Sequence, residues 1–453
     1  MSVHATLAQF VHLLSATPLH LSGALLAKTA VGLTTDTRSL QAGEVFLALR
    51  GENFDGHRFG EAAIQKGAIA AIVEHPLEAD VPQLLVESTL KAYQQIGQWW
   101  RQQVQIPIIA ITGSVGKTTT KELIAAALAT QGKVLKTEAN YNNEIGVPKT
   151  LLGLTPDHDF AVVEMGMRGL GQIAELTQIA QPNIGVITNV GTAHIGLLGS
   201  REAIAQAKCE LLAEMPSTGV AILNADNSLL MQTAATVWSG KCITYGLTAG
   251  DLQGELVDEQ TLTVQGQQFE LPLPGEHNAL NFLAALAIAQ HLQLDTTRLM
   301  QRLTVNLPEG RAHRLTLPGD IVILDETYNA GLESMLAALK LLRQTSGQRH
   351  IAILGPMKEL GDHAPELHRQ VGKQVLALNL DQLLILDTGP EGMAIAQGAS
   401  PVPAQQFDTH QALVDYLLAE VRGGDRLLFK ASHSVGLDQV VNQFKANWPA
   451  LLR

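Results

Sequence analysis

The sequence predicts an α/β protein of three domains: a small N-terminal α/β unit (residues 1–104), a central doubly wound, mostly parallel sheet (105–312) and a second mostly parallel α/β unit (313–453). Three observations carry this. A chain of 453 residues that is 46% hydrophobic has the length and apolar content for about three cores. Through its middle, short apolar β-branched runs alternate with helical runs, the pattern of a parallel sheet covered on both faces. The alternation restarts after residues 307–314, a linker-like stretch holding Pro308, Gly310 and two arginines.

Composition narrows the function classes. With 31 basic against 43 acidic residues the net charge is −12, so the clustered cations that neutralise nucleic-acid phosphates are not expected. No run approaches eighteen uninterrupted apolar residues, and the first residues lack a cationic stretch leading into an apolar core, so a cytoplasmic protein with no integral membrane segment is expected. Cys209 and Cys242 fit neither a disulfide framework nor zinc spacing, and both read as buried small hydrophobes in a reducing compartment.

In the N-terminal unit, residues 31–38, 45–49, 68–73 and 83–86 read as strands, and 61–66 and 89–103 as helices. Trp99 and Trp100 on the second helix are expected to pack against the next domain. Asp36, Arg38, Asp55 and His57 lie on two polar loops beside glycines, a clustering that suits either a nucleotide-like headgroup or plain solvation.

The central unit opens on an apolar strand at 108–112 that breaks into Gly113, Ser114, Val115, Gly116, Lys117, Thr118 and Thr119, then a helix with Leu123, Ile124, Ala127 and Leu128 on one face. The glycines let several backbone N–H groups converge, and the helix start adds unpaired donors and a positive dipole end, which together make a phosphate cradle. Lys117 is placed to reach β/γ-phosphates and the Thr118 hydroxyl to sit on Mg²⁺. Ile111 stands where the strict template has its first glycine, so this is a shortened variant.

Further strands end in chemistry. The strand at 160–164 carries Glu164 at its carboxyl end, where an open parallel sheet presents its crevice, and an ionised Glu there needs a partner such as Mg²⁺. The strand at 184–190 runs into Gly191 and His194, and a helix over 200–213 carries Lys208 on an alanine-rich face. The polar loop 138–148 holds Asn140, Asn142 and Asn143. Short alternating strands over 251–273 read as a hairpin excursion, and Asn281 opens a helix able to offer polar groups to an adenine.

In the third unit, strands near 321–325, 350–355, 383–386 and 426–430 end at Asp325, at the run Gly355 to Asp362, and at Lys430, Ser432 and His433, with a helix over 332–343. No second phosphate loop appears, so this unit is expected to close over the central site.

Taken in order, the motifs around Asp36–His57, Gly113–Thr118, Asn140–Pro148, Asn189–His194, Gly275–Asn278, Asp325–Ala330 and Leu354–Asp362 resemble the Mur ligase family over nearly the whole chain, and most nearly its dipeptide-adding branch. The resemblance implies an N-terminal UDP-binding domain, a central ATPase and a C-terminal dinucleotide-fold (Rossmann-like) domain that receives the amine. It implies ATP and Mg²⁺ as cofactors, a UDP-N-acetylmuramoyl-tripeptide and D-alanyl-D-alanine as partners, and a monomer. By position it gives Lys117 and its loop the phosphates, and Thr118, Glu164, His194 and a carbamylated Lys208 the metals. Asn281 falls to adenine, Arg311 to the γ-phosphate in preference to Arg314, and Asp325, with Tyr328 and Asn329 beside it, to ribose. Asp36, Thr37, Arg38, Asp55, His57, Asn142 and Asn143 fall to the acyl donor, and Lys430, Ser432 and His433 to the incoming dipeptide. Phe429 to Ser434 departs from the branch's usual Val-Lys-Gly-Ser-Arg-Ser, leaving the last contacts open. Alternatives are a diaminopimelate- or lysine-adding relative, a folylpolyglutamate synthase-like ligase, or a regulatory or energy-coupling ATPase using the same loop.

Overall fold

Three parallel-dominated sheets organise the computed structural model, which describes residues 3–51 and 53–448. In the N-terminal unit five strands lie in the order Thr17–Leu19, Gln83–Leu85, Ala70–Val73, Val45–Leu47, Leu33–Thr34. The expected strand over 31–38 shrinks to two residues, because the Thr34 hydroxyl and the Asp36 carboxylate bond neighbouring backbone groups and turn the chain.

The helix Thr89–Gln103 docks this unit onto the next. Its Trp100 Nε1 donates to Leu154 O at 3.0 Å, and the buried Arg101 guanidinium donates to the Val104, Ala180 and Gln181 carbonyls and to Asn183 Oδ1. Charged hydrogen bonds of this kind contribute about 1.5–3 kcal/mol each, so the domain contact is specific as well as apolar.

The central sheet has nine strands, in the order Val134–Lys136, Phe160–Glu164, Ile108–Thr112, Ile184–Ile187, Val220–Asn224, Lys241–Gly246, Leu252–Leu256, Thr261–Val264, Gln267–Glu270. Neighbours pair in parallel through the first seven strands, and the last two pairings are antiparallel. The hairpin expected as an excursion therefore extends the main sheet. Leu123, Ile124, Ala127 and Leu128 on helix Lys117–Ala129 are buried with Ile109, Ile111 and Phe282, the last from helix Glu276–His291. Cys209 is buried, but Cys242, near the start of strand Lys241–Gly246, is exposed, against expectation.

The third sheet has six strands, in the order His313–Leu317, Ile321–Asp325, Asp425–Lys430, Arg349–Leu354, Gln382–Ile385, Ala404–Gln406; only the first pairing is antiparallel. Strand ends of the second and third sheets face one cleft of about 960 Å³. Among the described residues no helix is long and apolar enough to cross a membrane.

Candidate active site

The floor of the cleft is the turn after strand Ile108–Thr112. Gly113 lies so close to Thr188 that a Cβ would come within 1.9 Å of its Oγ1, and Gly116 takes a left-handed φ of 81° with Asn281 Oδ1 beside it. Thr188 and Asn189 staple the loop: Thr188 Oγ1 donates to Val115 O at 2.7 Å, Asn189 Oδ1 accepts from Val115 N at 3.0 Å, and Ser114 N donates to Asn189 O. The loop's shape is thus preorganised before any ligand arrives, with the Ser114 and Val115 N–H groups spent on Asn189. Lys117 Nζ bends back to Gly113 O at 2.8 Å, and burial, aided by the Arg311 charge, lowers its pKa against the pull of Glu164.

Glu164 closes the next strand. Its Oε1 accepts from Asn142 Nδ2 at 2.8 Å, while its Oε2 is buried with no hydrogen-bond partner among the described residues and Lys121 Nζ only at 3.9 Å. An orphaned buried carboxylate oxygen costs about 1–3 kcal/mol or more, and here it stands in the cleft that Thr118 also lines. The donor set fits a hard divalent cation. His194 turns its Nδ1 to Glu359 Oε2 at 2.6 Å. Burial, then the Lys117 charge, lowers its pKa against the pull of Glu359, and toward that carboxylate its Nδ1 is the donor. Lys208 is fully buried, and desolvation, then Lys117, holds its pKa well below the usual lysine range.

The opposite wall comes from residues 310–312 and the third sheet. Arg311 lies over the Tyr328 ring, with its buried Nε unpartnered among the described residues. Arg314 is on the exposed edge strand, away from the cleft. Lys430 is buried, donates to Asn329 O at 3.0 Å and lies 3.8 Å from Glu326 Oε2; burial lowers its pKa while Glu326 opposes this.

Several sequence expectations meet different surroundings. Asn281 sits against Gly116 and accepts from the Thr120 hydroxyl at 3.0 Å, which draws it toward the phosphate turn. Asp325 lies behind the wall, its Oδ1 closing the turn onto Thr327 N and Oγ1. Asn329 lines the cleft, its own Oδ1 on Ala330 N. Asn143 turns its Oδ1 back onto Ile145 and Gly146, because that carbonyl caps the following helix. Ser432 is buried as an acceptor for Lys358 N, and His433 is exposed beside Tyr328 with rings 5.9 Å apart, so of that trio Lys430 alone lines the cleft.

The N-terminal loops stand apart from the cleft. Asp36 and Arg38 form a bidentate pair, which holds the Asp36 carboxyl down to about 2, with the Lys149 charge of the central unit also acting on it. Thr37 O accepts from Lys66 Nζ. His57 corrects an expectation: it is buried, donates Nδ1–H to Asp55 at 2.7 Å and accepts from Glu74 N through Nε2, so neither nitrogen remains for a headgroup. Its role is to pin the loop to strand Ala70–Val73. The same bonds deny a metal to the Asp55, His57 and His75 cluster.

The cradle, the orphaned acid and the facing third sheet define a three-domain α/β protein built to hold a nucleotide's phosphates. The chain belongs to the Mur ligase family: it matches the Mur ligase middle domain over residues 111–289, the Mur ligase glutamate ligase domain over 310–433 and the Mur ligase family catalytic domain over 29–101. It is accordingly an ATP-dependent ligase. It is 60% identical over 420 residues, 92% of each chain, to the UDP-N-acetylmuramoyl-tripeptide–D-alanyl-D-alanine ligase of Synechocystis sp.. The Escherichia coli enzyme of that name is 34% identical, covering 98% of this chain and 99% of its own. MurF from Acinetobacter baumannii superposes with a TM-score of 0.88 at 30% identity, covering 98% and 99%, and MurF ligase from Thermotoga maritima in complex with ADP with 0.82 at 27%, covering 92% and 98%.

Proposed function

We propose that this chain joins D-alanyl-D-alanine to a UDP-N-acetylmuramoyl-tripeptide at the expense of ATP, in peptidoglycan precursor synthesis in the cytoplasm, the step on which cell shape and division depend. The observation that carries the reading is the stapled 113–118 cradle facing the orphaned Glu164 oxygen across from Arg311, on a chain so close over its whole length to enzymes of that name.

In this reading the N-terminal unit (1–104) holds the UDP moiety, with Asp36, Arg38 and the loop pinned by His57 facing Lys149. The central unit (105–312) holds ATP, and the C-terminal unit (313–453) presents the dipeptide near Lys430. The acyl donor's terminal carboxylate attacks the γ-phosphorus, so its oxygen becomes the bridge of an acyl phosphate and ADP leaves. The amine then attacks the acyl carbon, the carbon–oxygen bond breaks, and phosphate departs with that oxygen. The cradle's N–H groups, Lys117 and Arg311 stabilise the charge that moves on the phosphoryl group. Thr118, Glu164, His194 and a carbamylated Lys208 would hold Mg²⁺, which supplies Lewis-acid neutralisation of phosphate charge. Burial and the Lys117 charge shift Lys208 toward the uncharged amine, the form that adds CO₂.

The test is ADP release from ATP with a panel of UDP-linked tripeptides and candidate amines. Release that requires both the tripeptide and D-alanyl-D-alanine is expected. Equal release with neither would leave an ATPase, and preference for diaminopimelate or glutamate would assign another member of the family.

A further inference from the structure

The loop that carries His194 is finished by two carboxylates from the third sheet's side of the cleft. Glu333, in the first turn of helix Leu332–Gln344, accepts the Thr192 N–H at 2.8 Å and its hydroxyl at 3.2 Å. It presses on Gly191, where a Cβ would fall 2.4 Å from the Glu333 carboxyl carbon. Glu359 meets His194 Nδ1 through its side chain and accepts Gly196 N–H at 3.0 Å through its backbone carbonyl. Gly196 and Gly361 then touch backbone to backbone, with a Cβ on Gly196 only 2.5 Å from Gly361 N.

His194 and Glu359 both hold left-handed backbone, with φ of 66° and 63°. Such a conformation costs a non-glycine residue about 1–3 kcal/mol and persists where its surroundings over-determine it. Here each residue's partner lies in the other domain.

The pairing decides which His194 nitrogen is left for a ligand. An ionised carboxylate only accepts, so Nδ1 carries the hydrogen and Nε2 keeps its lone pair. A histidine that ligates a metal characteristically gives its other N–H to a carboxylate, and loss of that partner weakens metal binding about 10–100-fold.

We propose that Glu359 is a positioning residue for the metal: reaching from the C-terminal domain, it holds His194 as the Nδ1–H tautomer, while Glu333 fixes the loop beneath. Metal affinity in the central domain thereby depends on docking of the domain that receives the amine. The inference rests on the reading of His194 as a metal-facing residue. Its consequence is order: the acyl donor is energised when the acceptor domain is in place, which limits loss of the acyl phosphate to water.

The test uses the full chain and two readouts. Electron paramagnetic resonance of Mn²⁺ titrated into the enzyme–ADP complex reports metal affinity, and ¹⁵N imidazole spectra of the metal-free enzyme report the tautomer, with His194 assigned by its loss in His194→Gln. Glu359→Ala is expected to weaken Mn²⁺ binding about tenfold or more and to move His194 toward the Nε2–H tautomer, with an unchanged melting temperature. Glu359→Gln, whose carbonyl still accepts from Nδ1–H, recovers most of both. Tight Mn²⁺ binding and an Nδ1–H signal that survive Glu359→Ala overturn the proposal alone. A wild-type complex that binds no Mn²⁺ overturns the metal reading of the site, and the proposal with it.

Discussion

Arg311 lies 3.8 Å from the centroid of the Tyr328 ring, and Tyr328 N donates to Gly310 O at 2.9 Å, so the ring and the arginine's own backbone are tied together. The ring face attracts the guanidinium by about 1–2 kcal/mol and holds it in the cleft wall with its Nε unpartnered among the described residues. Tyr328→Phe keeps that face and should retain kcat for ADP formation. Tyr328→Leu should lower kcat by about 5–30-fold at saturating ATP. Steady-state kinetics of both variants check this, and equal rates would detach the stack from catalysis.

Glu164 offers a buried, unpartnered oxygen while its other oxygen is held by Asn142. Glu164→Gln keeps the shape and removes the charge. The Mg²⁺ concentration for half-maximal activity should rise by about tenfold or more, read from a magnesium titration at fixed ATP. An unmoved midpoint would remove Glu164 from the metal's surroundings.

Lys208 is fully buried, and desolvation, then the Lys117 charge, pushes its pKa well below the usual lysine range. Lys208→Ala should abolish ligation, and short carboxylic acids added in solution should restore part of it by supplying the missing carboxylate. Mass spectrometry under CO₂ trapping should label Lys208 in the wild-type enzyme. A variant that stays inactive at every acid concentration, together with an unlabelled lysine, would contradict carbamylation.

His277 lines the cleft and is held down to about 4 by burial first and Lys430 second, with Glu276 opposing. The unfolded chain binds a proton there below about 6.5, whereas the fold does so only near 4. Stability from this group is therefore lost as pH falls from about 6.5 to 4. His277→Gln should gain on the wild type in urea midpoint at pH 5 relative to pH 8. A difference that is the same at both pH values would show that His277 does not titrate in this window.

Much of this was legible in the sequence because periodicity and glycine placement act locally. The strand 108–112, the helix face of Leu123, Ile124, Ala127 and Leu128, and the turn between them follow from residues within one βα unit. Glu164 was legible for a related reason, since a carboxylate at the end of a buried strand demands a partner. What escaped is set by contacts distant in sequence. Asn189 staples Val115 from 74 residues away, a contact that neither its place in the expected strand 184–190 nor the Asn189–His194 motif specifies. Glu333 and Glu359 reach the His194 loop from 141 and 165 residues away; Glu333 looks like any solvated helix acid, and the Leu354–Asp362 motif that holds Glu359 does not say which loop it meets. His57 misled in the opposite sense: its motif is polar because the loop needs an internal tie, and those bonds use both ring nitrogens a ligand would have taken, whereas Asn143 spends only its Oδ1 on the following turn and still lines the cleft.

The central claim, that the cradle's phosphoryl group passes to a carboxylate before the amine arrives, is tested most directly by oxygen transfer. UDP-N-acetylmuramoyl-tripeptide labelled with ¹⁸O in its terminal carboxylate is turned over with ATP and D-alanyl-D-alanine, and the inorganic phosphate is weighed by mass spectrometry. Activation through an acyl phosphate predicts one ¹⁸O in each phosphate released. Phosphate free of label, formed at the same rate as the amide, would contradict it.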